Sequence, residues 1–205
     1  MAYRIVILTK QIEAPFLVQF IKNENPGIEV NAVLNESELR QQIGDQGSDT
    51  RLISFNSPII IPKDVLDSLG PTAYNIHPGL PKYPGTYPVA FALKDHASSY
   101  GATAHEIIEK VDAGRIVLVS ETNISTDISL QQLTELAFEL ATQVFSQIAI
   151  HCANSSESLP TIDRQWVGEK SSKKTYLQMC KLPANASSAY IANLRRICGD
   201  DLVFP

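Results

Sequence analysis

Ile5-Val6-Ile7-Leu8 is an unbroken run of β-branched and aliphatic residues close to the N-terminus. A strand that is apolar at every position, rather than at every second one, is buried on both faces, as in a parallel sheet covered by helices. Downstream, Phe16, Leu17, Phe20 and Ile21 recur at helical spacing and predict a helix over 13–23. Asn25-Pro26-Gly27 then turns the chain. A strand over 28–33, a helix over 36–43 and a strand over 51–55 follow. Ile59-Ile60-Ile61-Pro62 leads into a short helix with Pro62 at its first position, and 73–77 reads as the next strand. This alternation predicts right-handed βαβ units and an α/β fold with a doubly wound, mostly parallel sheet, a Rossmann variant.

Beyond it, 88–96 reads as a helix, and 102–111 and 116–124 as strands. Asp112-Ala113-Gly114 between them reads as a tight turn with Gly114 at positive φ, so the sheet is expected to finish in an antiparallel hairpin. Ser129 and Gln132 form a capping-box pattern ahead of one apolar face, Leu130, Leu133, Leu136, Ala137, Leu140, Val144 and Ile148. The reading divides the chain into an α/β domain, 1–154, and a C-terminal extension, 155–205, with a further helix near 187–197.

With 205 residues, 44% of them hydrophobic, the chain can build a proper core. A net charge of −5 and the lack of a basic block before residue 170 argue against a nucleic-acid partner. No apolar run reaches the ~18 residues of a membrane span, and no signal peptide is evident. Cys152, Cys180 and Cys198 make no C-x-x-C motif and read as reduced thiols in a cytoplasmic protein.

In doubly wound sheets ligands bind beyond the carboxyl ends of the strands. The 73–77 strand ends in Asn75-Ile76-His77-Pro78, stopped by a proline that has no N–H for the ladder. Period-two alternation puts Asn75 and His77 on one face. The amide can donate to a developing oxyanion, and the imidazole can move a proton near neutrality. Taken alone, such a pair is usually a turn amide and a satisfied histidine. The first strand-to-helix turn, Thr9-Lys10-Gln11-Ile12, has no glycine to bring backbone amides against a pyrophosphate, which argues against a dinucleotide site.

Asn75-Ile76-His77-Pro78, the Lys82-Tyr83-Pro84-Gly85 loop, Gly101-Ala102-Thr103-Ala104-His105 and Val111-Asp112-Ala113-Gly114-Arg115-Ile116 occur in that order. Together they resemble the formyltransferase family. The resemblance implies an enzyme that moves a formyl group from 10-formyltetrahydrofolate to an amine. Motif by motif it places the catalytic residues at Asn75, His77 and Asp112. Asp112 would orient His77, favour its cationic form and relay protons; without the resemblance, Asp112 is an ordinary turn residue. The pterin pocket would be mostly backbone, with Pro58 and Ile60 on one wall and Ile108, Val111 and Asp112 on the other. Apolar residues there also read as core. His105 occupies a position where the family often has a histidine, but a half-buried strand histidine reads equally well, and no catalytic role is assigned to it. No metal is implied.

The shortened loop His77-Pro78-Gly79-Leu80-Pro81 and the segment Trp166 to Lys174 resemble the branch that formylates nucleotide-linked amino sugars. The acceptor implied is therefore a small-molecule amine. Lys173, Lys174 and Arg195 would meet a diphosphate, and Trp166 or Tyr176 would stack on a base or sugar. Solvated lysines and a core-capping Trp are the plainer alternatives. Hydrolysis of the cosubstrate, and a non-catalytic folate-binding module, are the competing functions. Relatives are often dimers, so a homodimer through 176–205 is open.

Overall fold

The computed structural model describes residues 4–204. Four parallel strands, β1 (Arg4–Leu8), β2 (Glu29–Val33), β3 (Thr50–Phe55) and β4 (Tyr74–His77), join two antiparallel ones, β5 (Ser99–Glu106) and β6 (Ile116–Asn123). Their order across the sheet is β2-β1-β3-β4-β5-β6. Helices α1 (Ala14–Glu24), α2 (Glu36–Ile43) and α3 (Lys63–Ser68) link the parallel strands. After β4 come α4 (Pro88–Lys94), α5 (Leu130–Asn154), α6 (Lys173–Met179) and α7 (Ser188–Cys198). The doubly wound, mostly parallel sheet with an antiparallel end is the fold expected from the sequence.

The apolar run that suggested the sheet divides between its two faces. Ile5 and Ile7 join Ile53, Phe55, Leu17 of α1 and Val144, Phe145 and Ile148 of α5 in one core. Val6 and Leu8 join Leu52, Leu39 and Ile43 of α2 and Val65 of α3 in the other. Each such aliphatic residue contributes about 1.5–3 kcal/mol when fully buried, which is why the four positions Ile5 to Leu8 of β1 are apolar. The long helix α5 starts at Ser129, whose side chain accepts from the Gln132 N–H while the Gln132 side chain caps the Ser129 N–H. Among the described residues no helix is long and apolar enough to cross a membrane.

Residues beyond α5 fold back over the sheet. The guanidinium of fully buried Arg51 donates to the carbonyls of Ser156 (2.5 Å) and Glu157 (3.1 Å). The Leu159 N–H donates to the Tyr74 hydroxyl (2.7 Å), and the Ile162 N–H to the Ile116 carbonyl (2.9 Å). Tyr176, Leu194 and Ile197 of α6 and α7 then pack with Leu93, Tyr100 and Leu133 in a third core.

Several local expectations are corrected. Cys180 and Cys198 are paired as a disulfide that joins α6 to α7, so they are not reduced thiols; Cys152 stays outside the disulfide and is buried beside Arg51. Sequence spacing cannot bring two helix ends together. Strand β5 stops at Glu106 rather than Val111; the Ile107 N–H makes one more bond, to the carbonyl of Ala73 just before β4 (2.9 Å), and the chain then leaves the sheet. The hairpin connection is therefore a broad loop over 107–115. In it Asp112, not Gly114, takes positive φ (47°). Gly114 is required for a different reason: a Cβ there would lie 1.8 Å from the Glu106 carbonyl oxygen. Pro62 precedes α3 as its cap, and α4 ends at Lys94, with His96 at φ 50° just beyond.

Candidate active site

Strand β4 delivers Asn75 and His77, and the 107–115 loop delivers Asp112, to one cavity of about 1110 Å³. His77 and Asp112 are almost fully buried. Nδ1 of His77 lies 3.5 Å from Oδ2 of Asp112. On the other side of the ring, Nε2 donates to the Tyr83 carbonyl (2.8 Å). That bond assigns the tautomer, since a carbonyl can only accept. In the neutral ring the one basic nitrogen is Nδ1, and it faces Asp112.

Asp112 is held on three sides. Its Oδ2 accepts from the Gly85 N–H (2.7 Å), and its Oδ1 lies 3.2 Å from Nε2 of His105. Burial pushes the carboxyl up, but the His105 hydrogen bond, the two imidazoles and the Gly85 N–H outweigh it and keep its pKa below the ordinary carboxylate value. His77 moves the other way from the sequence expectation. Burial lowers its pKa, and that outweighs the pull of Asp112 and of the Tyr83 carbonyl, while His105 lowers it further. Asp112 does favour the cation, as expected, but burial outweighs it, so the ring is neutral near neutral pH. The physical reason is desolvation, which a sequence does not disclose.

His105 is the residue the sequence undervalued. The antiparallel register sets it opposite Asn75. Its Nδ1 donates to the Glu106 carbonyl (2.8 Å), and its Nε2 lies between the Asn75 amide nitrogen (3.1 Å) and Asp112 Oδ1 (3.2 Å). That contact fixes the orientation of the Asn75 amide at the edge of the cavity. The signal was present as Thr103-x-His105 on one strand face, but it needs the β4–β5 pairing to be read.

The shortened loop also acquires a cause. Gly79 passes so close to His77 that a Cβ there would sit 2.6 Å from Nε2 and 2.8 Å from Pro88 Cβ. Thr103 Oγ1 donates to the Gly79 carbonyl (2.7 Å) and the Tyr100 hydroxyl to the Pro78 carbonyl (2.6 Å), so the loop cannot swing away. Gly79→Ala is expected to push the imidazole off the Tyr83 carbonyl and lower turnover by roughly 10- to 100-fold, since ångström misplacement of a reacting group has that cost. Steady-state rates and the His77 imidazole titration check it; unchanged values for both would overturn it.

The remaining lining is of two kinds. Pro58, Ile60, Ile108 and Val111 all reach the cavity. Ile60 is 68% exposed and Ile108 45%, so neither serves as packed core; they are free apolar surface. The second group is polar and aromatic: Tyr87, Lys170, Lys173, Tyr176 and Asp201. Tyr87, at φ 61°, stacks on Tyr176 (centroids 3.9 Å apart, 10° between planes). The Tyr176 hydroxyl donates to Asp201 (2.7 Å). Lys174 and Arg195 do not line the cavity, and Trp166 lies against His77 and His105 rather than open to the cavity.

The family model described as formyl transferase matches residues 9–149, most of the chain. This chain belongs to the formyl transferase family. Like other members, it can be compared at two levels. A methionyl-tRNA formyltransferase from Thermotoga sp. (strain RQ2) is 28% identical over 169 residues, covering 82% of this chain and 51% of that protein. The chain thus spans about half the length of that curated relative. Among solved structures, a sugar N-formyltransferase from Shewanella sp FDAARGOS_354 superposes with TM-score 0.76 at 15% identity, covering 98% of this chain and 90% of the other. The formyltransferase PseJ from Anoxybacillus kamchatkensis, in complex with UDP-4,6-dideoxy-4-formamido-L-AltNAc and tetrahydrofolate, does so with TM-score 0.66 at 20% identity, covering 97% and 99%. At such identities the two structures share the fold of this formyl transferase family member.

Proposed function

We propose that this chain transfers a formyl group from 10-formyltetrahydrofolate to the primary amine of a small molecule, an amino sugar carried on a nucleotide. The observation that carries this reading is the convergence of Asn75, His77 and Asp112 at one cavity large enough for two ligands. The exposed apolar faces of Ile60 and Ile108, with Pro58, Val111 and the backbone around Asp112, suit a flat pterin. The Tyr87–Tyr176 stack with Lys170 and Lys173 suits an acceptor bearing a ring and anionic charge. PseJ binds a UDP-linked sugar together with tetrahydrofolate on the same fold, which supports the choice of acceptor.

The cosubstrate supplies an activated formyl carbonyl; the chain's own residues do the rest. Asn75, already oriented by His105, donates an amide N–H to the oxygen on which charge develops. Neutral His77 takes the proton that the attacking amine must lose, at Nδ1. With the proton in place, Nδ1–H points at Asp112 and Nε2–H at the Tyr83 carbonyl, so the imidazolium is fully hydrogen-bonded. Asp112 therefore acts after the proton arrives, by stabilising its acceptor.

The sign of the pH dependence follows. His77 works in its neutral form, and burial holds its pKa below the ordinary 6.5. Activity is expected to be flat across neutral pH and to fall only as pH drops through that lowered pKa. A kcat/KM profile over the acid range checks this; an acid limb centred above 6.5 would contradict it.

The test of function is incubation with 10-formyltetrahydrofolate and a panel of UDP- and dTDP-linked amino sugars, following tetrahydrofolate release and the mass gain of the sugar. Release that requires an amino sugar supports the reading. Release without any acceptor favours hydrolysis, and none with any acceptor removes transfer altogether.

A further inference from the structure

Trp166 belongs to the segment that runs from α5 to α6, far from the catalytic motifs in sequence. Two hydrogen bonds hold its neighbours in place. The Ile162 N–H donates to the Ile116 carbonyl at the start of β6, and the Val167 N–H to the Pro81 carbonyl (3.2 Å) in the loop after His77. Between these anchors the indole Nε1–H donates to the Gly114 carbonyl (2.9 Å), two residues after Asp112. The ring meets the imidazole of His77 edge-on (centroids 5.6 Å apart, 73°) and that of His105 likewise (5.1 Å, 88°). His77, His105 and Asp112 line the cavity, whereas Trp166 does not. The indole therefore touches the group from the side away from the ligands.

We propose that Trp166 is a positioning residue for this site: its indole clamps the two imidazoles and the Asp112 loop together and keeps water from their far side. The inference rests on the reading of His77 as the proton acceptor. Edge-to-face contact fixes the plane of each imidazole, and so the direction of each ring nitrogen. The bond to the Gly114 carbonyl pins the loop that presents Asp112. Excluding water strengthens the His77–Asp112 interaction and sustains the desolvation that keeps His77 neutral. Asp112 and His105 are the charged or titratable side chains facing His77 among the described residues, with the Tyr83 carbonyl as its remaining partner.

The experiment uses the full chain with Trp166→Ala and Trp166→Phe, and Val167→Ala as a control on the exposed side of the same segment. Two readouts are taken: kcat and KM across pH, and the titration of the His77 imidazole followed by NMR. The second needs no substrate, so it holds even if wild-type protein transfers no formyl group. For Trp166→Ala, kcat is expected to fall roughly 10- to 100-fold with KM for the folate nearly unchanged. The acid limb and the His77 titration are both expected to move to higher pH. Trp166→Phe retains a ring but not the N–H; a smaller shift in the same direction is expected. Should Trp166→Ala fail to fold, Trp166→Phe alone decides the matter. Folded variants whose His77 titration matches wild type would overturn the proposal, whatever happens to the rate, because a merely structural tryptophan would not move it. Val167→Ala shifting the titration as much as Trp166→Ala would overturn it too.

Discussion

His77→Ala is expected to lower kcat on the order of 100-fold or more, with little change in KM for 10-formyltetrahydrofolate. The imidazole is the side chain of β4 proposed to take the amine's proton, and it contributes little to the apolar surface proposed for the pterin. Asn75→Ala is expected to cost a similar factor by a different route, since it removes the donor to the developing oxyanion. It also releases His105 Nε2, which is then left facing Asp112 alone. The two losses are not expected to add. Asn75, His77, His105 and Asp112 form one bonded group, and disturbing any member moves the others. Single-turnover rates of both single variants and the double variant test this. A His77→Ala protein that turns over like wild type would remove the imidazole from the mechanism.

Arg51→Met is expected to destabilise the fold by about 2–3 kcal/mol, because it strips the donors from the carbonyls of Ser156 and Glu157 while keeping most of the stem's volume. For a chain of this size that corresponds to a fall in Tm of roughly 4–12 °C. The consequence reaches the site. Arg51 is fully buried in β3 and anchors the chain just after α5, ahead of the segment that carries Trp166. Limited proteolysis near residues 155–162 should therefore accelerate along with the thermal shift. A Tm equal to wild type would show that water replaces the guanidinium without cost.

Arg51 also shows where reading residues in order reaches its limit. Its strand was recognisable from Leu52-Ile53-Ser54-Phe55, but nothing local says that a charged neighbour is buried at the sheet's centre to hold a segment a hundred positions away. The 107–115 loop fails differently. Its residues are β-prone enough to extend β5 to Val111, and local propensity cannot see that the chain leaves the sheet after Glu106 to carry Asp112 to the cavity. The Cys180–Cys198 pair was missed for the same kind of reason, because only the packing of α6 on α7 brings the two thiols together.

Much of the site was nevertheless legible. Asn75 and His77 were placed on one face at a strand tip by periodicity and Pro78, and Asp112 by its motif. All three line one cavity, as do Pro58, Ile60, Ile108 and Val111. What the motif could not convey was protonation, since the charge on His77 depends on how much water reaches it.

Alternation of apolar runs with amphipathic ones determined by itself that this chain makes a doubly wound sheet, because burial of those runs has only one economical arrangement. Local chemistry likewise marked the strand end where a proton and an oxyanion would be handled. Tertiary structure alone decided that His105 orients Asn75, that His77 rests neutral, and that Trp166 stands behind both imidazoles. Each of these depends on distance and on exclusion of solvent between residues remote in sequence, and such quantities come into existence only when the chain closes on itself.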